Sequence, residues 1–75
     1  MAILVDFEKV REDKREVEYI FGYPTMDRRL VIDKDSSAGR PLDGKEDVLY
    51  QRSFGTILQT YRDQEIWLEK GGYAA

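Results

Sequence analysis

Alternation of apolar and polar residues is the first regularity along the chain. Ile3, Val5 and Phe7 fall on one side of a period-two pattern and Leu4, Asp6 and Glu8 on the other, which predicts a strand. Six consecutive charges of both signs, Arg11 to Glu16, then read as a solvated turn. A second alternation puts Val17, Tyr19, Phe21 and Tyr23 against Glu16, Glu18, Ile20 and Gly22. It stops at Gly22-Tyr23-Pro24, where proline lacks an amide hydrogen. A third strand runs from Arg28 to Lys34, with Leu30 and Ile32 on one face. Short connections between neighbouring strands predict an antiparallel meander. Register follows from charge. Pairing Phe7 with Phe21 and Lys9 with Tyr19 keeps the apolar sets on one face, through a charged loop of three or five residues. The alternative register sets Glu8 against Glu18, a repulsive cross-strand pair.

The pattern changes after a breaker-rich segment, Asp35 to Gly44. Tyr50, Phe54, Ile57, Leu58 and Tyr61 recur at helical spacing. Asp43, with Glu46 three residues on, matches a capping box, and Asp47 is a rival cap. Gly55 sits inside this run and weakens it. The expected core brings Phe7, Phe21, Ile32, Phe54 and Leu58 together. Gly71-Gly72 ends the ordered pattern, so residues 1–70 read as one α+β domain and 71–75 as a flexible tail. The expected fold is a three-stranded antiparallel meander with one C-terminal helix packed on one face.

Composition narrows the chemistry. The 75 residues include no Cys and no His, which removes thiolate and imidazole metal sites, Cys nucleophiles and His-dependent triads. Twelve Lys and Arg against fifteen Asp and Glu give a net charge of −3. An acidic chain with no concentrated basic stripe is a poor phosphate binder, although Arg11, Arg15, Arg28 and Arg29 could serve a nucleic-acid module that reads through its sheet. That nucleic-acid module is the alternative reading. The longest N-terminal apolar run, Met1 to Val5, is too short for a signal peptide, so a cytoplasmic location is expected. A core this small contributes roughly 3–5 kcal/mol, which raises the weight of oligomerisation.

Candidate chemistry is thin. Asp33, Asp35 and Ser37 begin like a calcium loop, but Ala38 and Gly44 stand where such a loop needs Gly and Glu; Asx-type turns explain the segment better. Asp6 with Glu8 and Glu16 with Glu18 share strand faces, yet nothing near them predicts the burial that a general acid requires. No catalytic, cofactor or metal residue is assigned, and the chain is expected not to be an enzyme.

The segments Asp6-Phe7-Glu8-Lys9-Val10-Arg11-Glu12, Gly39-Arg40-Pro41-Leu42-Asp43-Gly44 and Trp67-Leu68-Glu69-Lys70-Gly71 resemble small uncharacterised proteins of actinobacteria such as Streptomyces. The resemblance implies a bacterial cytoplasmic protein and assigns no activity or site.

The expected role is protein interaction or regulation, with a protein partner or a second copy and no membrane or small-molecule ligand. One helix covers one side of a sheet, and period two places Leu4, Val10, Ile20 and Val31 on the other. Together with Trp67 these form the candidate interface. Two covers are open: residues Ile66 to Leu68 folding back over the patch, or two sheets packing face to face as a dimer. Trp67 itself reads either as a lid on the core or as a contact anchor.

Overall fold

The computed structural model describes residues 4–74. Ile3, expected to extend the first apolar set, lies outside the described residues. Strands β1 (Leu4–Glu12) and β2 (Glu16–Gly22) pair antiparallel, with Phe7 opposite Phe21 and Lys9 opposite Tyr19, the register that separates Glu8 from Glu18. The three-residue turn is held by Asp13, whose carboxylate accepts from the Arg15 and Glu16 amides at 2.8 Å each. Beyond Lys9 the register shifts by one, and Val10 is the extra residue of a bulge that brings Arg11 opposite Glu18.

Strand β3 (Arg28–Asp33) pairs with β2, and the chain turns back into β4 (Gly39–Pro41), which pairs with β3. The Asp33 carboxylate accepts from the Asp35 and Ser36 amides, so the calcium-like segment is an Asx-type turn. Helix α1 (Val48–Gln64) follows, and then β5 (Lys70–Ala74) runs antiparallel to β1. The sheet order is β4-β3-β2-β1-β5.

The fold is α+β with one helix on an antiparallel sheet, but the sheet has five strands, not three. Both extra strands contain glycines that read as breakers and act as seats. A Cβ on Gly71 would lie 2.9 Å from Phe7 Cζ, and one on Gly39 would lie 2.5 Å from Phe54 Cε1. Only glycine lets these backbones approach the rings so closely. The expected tail from residue 71 is therefore strand through Ala74.

The helix cap is Asp47, which accepts from the Tyr50 amide at 3.1 Å. The alternative, Asp43, is committed elsewhere: its carboxylate takes the Arg28 guanidinium at 2.7 Å and the Lys45 amide at 3.0 Å. Helix α1 lies over β1 and β5 and touches β2 less. Between helix and sheet, Val5, Phe7, Val17, Tyr19, Phe21, Leu30, Ile32, Tyr50 and Ile57 form the core. Leu58 is buried beside it, while Phe54 is half-buried, stacked on Tyr50 with ring centroids 5.7 Å apart.

Candidate interaction site

The helix-free face of the sheet carries Glu16, Glu18, Arg29, Val31 and Arg40 at its centre, with Arg11 joining beyond the bulge. Cross-strand pairing makes a lattice of opposite charges. Arg11 meets Asp13 at 2.7 Å, Glu18 at 3.1 Å and Glu16 at 3.2 Å, and Arg29 meets the other oxygen of Glu18 at 2.8 Å. Hydrogen bonds from Arg29 hold the Glu18 carboxyl below its ordinary range against the opposing pull of burial, with Arg11 adding to the effect. Glu18 and Glu16 in turn raise the Arg11 guanidinium.

This lattice decides the fate of the expected apolar patch. Val31 lies in register between Glu18 and Arg40 and is only 3% exposed. Glu18 and Arg40, its cross-strand neighbours on that face, have long aliphatic stems that can cover it. Ile20 is half-buried. Leu4 and Val10 remain exposed at 37% and 45%, but six residues of strand put them roughly 20 Å apart. Trp67 is on the other side of the sheet altogether. It stacks on Tyr61 of α1 with centroids 4.1 Å apart and packs against the core. Trp67 and Leu68 pack on the helix-side core while Ile66 is exposed, and the segment does not fold over the open face; the Leu68 carbonyl accepts from the Tyr19 hydroxyl at 2.6 Å. The five candidate interface residues are not one surface.

Three of the four arginines considered for nucleic acid, Arg11, Arg28 and Arg29, are engaged as well, while the Arg15 side chain is exposed. Arg11 and Arg29 belong to the lattice, and Arg28 points to the helix side. There Arg28 reaches Asp43 at 2.7 Å and Asp47 at 2.9 Å while lying over the Phe21 ring at 4.7 Å. Hydrogen bonding to Arg28, with help from the Lys45 amide, pulls the Asp43 carboxyl down to about 2. Asp6 and Glu8 border an open hollow of about 460 Å3 with Met26 and Lys70, and both carboxylates are exposed. Among the described residues no group of three or more acidic side chains is placed to hold a metal ion, and no helix is long and apolar enough to cross a membrane.

The feature that sequence reasoning missed is at the sheet's edge. The Lys9 amide donates to the Glu69 carbonyl at 2.7 Å, so by antiparallel alternation residues 69, 71 and 73 bond to β1. Lys70, Gly72 and Ala74 then direct their amides and carbonyls outward. Beside this edge, α1 forms the wall of a groove of about 290 Å3, lined by Gln51, Gly55, Thr56, Gln59 and Thr60 with Arg52 and Tyr73. Arg52 lies over the Tyr73 ring at 5.2 Å. It is the sole charge lining the groove, in a chain in which 36% of residues are charged. Gly55 was the one visible signal: a mid-helix glycine that a Cβ would leave in open space. Comparison with protein-family models, curated proteins and solved structures finds no match to this chain.

Proposed function

We propose that this chain is a small non-enzymatic interaction protein that acts by contact with another protein surface. The observation that carries the reading is the edge of β5, unpaired among the described residues, beside the nearly uncharged flank of α1. An edge strand offers a ready row of donors and acceptors, and proteins that do not use such an edge blunt it. The opposite edge is blunted: β4 has three residues, carries Arg40 and ends in Pro41. β5 has no proline and a single charge, Lys70. Depletion of charge along the neighbouring helix flank is the compositional mark of an interface centre. An added strand on β5 would have its side chains received by the α1 groove, the arrangement by which extended segments are recognised through main-chain bonds. The nucleic-acid alternative is disfavoured because Arg11, Arg28 and Arg29 are held by carboxylates that a phosphate would have to displace.

A photo-cross-linking residue placed at Gln59, inside the groove, tests this reading in the native host. It should give a discrete adduct, with none from the same residue at Ser36 in the exposed turn. No adduct from Gln59 would refute the reading, and a salt-sensitive shift of generic duplex DNA would replace it with the nucleic-acid one.

A further inference from the structure

We infer that the occupant of the β5 edge is β5 of a second copy, so that two chains join edge to edge into one continuous ten-stranded sheet. The inference rests on the interaction reading above and names its partner. Pairing about a two-fold axis at Gly72 sets Gly72 opposite Gly72 of the second copy and Lys70 opposite its Ala74. Those are the residues whose main-chain groups point outward, so every free donor and acceptor of the described strand finds a partner. The same register sets Tyr73 opposite Gly71 of the second copy on the helix side, so the Tyr73 ring meets a residue with no side chain. The two Lys70 ammonium groups are kept apart, each beside an alanine. A strand that complements itself in this way suits an isologous contact.

Helix position supports the same partner. Because α1 lies over β1 and β5, strand spacing of about 4.8 Å puts the two helix axes roughly 10–14 Å apart across the axis. Packed helices approach to about 8–10 Å. With Tyr50, Ser53 and Ile57 turned to the sheet, the groove residues on the flank toward that gap are Arg52, Thr56, Gln59 and Thr60. Thr56 and Thr60 are short side chains and keep that flank low. The Gln59 amide donates to Asp63 at 3.1 Å, and its oxygen can accept across the axis.

Sedimentation equilibrium of the full chain across the micromolar range, combined with the Gln59 cross-link, tests the proposal. The expected result is a reversible dimer of twice 8.8 kDa, with a cross-linked adduct of the same mass. Ala74→Pro removes one outward amide while leaving the Tyr73 bonds to β1, and Gln59→Arg puts a like charge on both helices where they meet. Each should weaken the dimer at least ~tenfold with an unchanged circular dichroism spectrum. Ile20→Lys on the open face should leave the dimer intact. A monomer at every concentration overturns the proposal; if Gln59 still gives a heavier adduct with another protein, the interaction reading survives it. A dimer that ignores both edge variants, or that Ile20→Lys abolishes, also overturns the proposal.

Discussion

Replacing Ser53 with alanine should make the protein more stable, against the usual direction of core substitutions. Ser53 faces the sheet from the middle of α1, is fully buried, and its hydroxyl has no hydrogen-bond partner among the described residues. A buried hydroxyl left unpaired costs about 1–2 kcal/mol on the scale of protein substitutions. Alanine removes that cost and adds up to about 0.5 kcal/mol of helix propensity, against a small loss of packing around the missing oxygen. The expected net gain is about 1–2 kcal/mol. For a domain of this size that corresponds to a melting temperature higher by roughly 5–12 °C. Thermal and urea unfolding of the two proteins, followed by circular dichroism, measure it. A gain below the ~0.5 kcal/mol that propensity alone supplies would refute the reasoning, because the hydroxyl would then be satisfied in solution.

Three further outcomes follow from the packing and the ion pairs. Gly71→Ala should destabilise by about 1–3 kcal/mol in urea titrations, since its Cβ falls 2.9 Å from Phe7 Cζ and either strand or ring must move; unchanged stability would mean that β5 is not seated on Phe7. Phe54→Ala should cost about 2–3 kcal/mol, less than a fully buried phenylalanine, because the ring is half-buried and keeps one face on Tyr50. Stability should hold on descending from neutral pH and fall through the carboxyl range. The lowered carboxyls favour the folded state while ionised, Asp43 through Arg28, Glu12 through Lys34 and Lys9, and Glu18 through Arg29. Asp43 contributes fully above its ordinary 3.8, and that contribution disappears as pH falls to about 2. Asp43→Asn should flatten this acid limb, and an unaltered acid melting curve would show that the Arg28 pair is not formed in solution.

The central hairpin was legible because two independent signals agreed. Apolar alternation placed Val17, Tyr19 and Phe21 beside Val5 and Phe7, and the Glu8–Glu18 conflict excluded the competing register. The bulge at Val10 carried no such signal, since a single extra residue leaves the pattern on both sides intact. The outer strands were hidden for a different reason. Gly39 and Gly71 owe their place to rings that belong to distant residues, Phe54 and Phe7, so their local chemistry reads as turn. The helix stripe was legible in outline but rotated: Ser53 was passed over as polar, yet it faces the core with Tyr50 and Ile57, and Phe54 lies to one side. Capping had two candidates in the sequence; the helix begins at Val48, which makes Asp47 the cap, and Arg28 holds both carboxylates through contacts spanning fifteen and nineteen residues.

The same non-local logic separates the two surfaces that a partner could use. Counting apolar residues on the helix-free face suggested a sticky sheet, because alternation records where a side chain points and not what its neighbours do. Arg11, Glu16, Glu18, Arg29 and Arg40 lie flat across that face and pair with one another, so a protein docking there would have to break existing ion pairs to reach Val31. Exposed pairs of this kind contribute little to stability one by one, yet each would have to be desolvated on burial. The β5 edge presents the opposite balance. Its outward amides and carbonyls face no strand among the described residues, and a second strand would replace hydration with equivalent bonds while covering the Tyr73 ring and the sparsely charged flank of α1. Association is favoured where little existing structure must be undone, and in this fold that place is the edge and not the face.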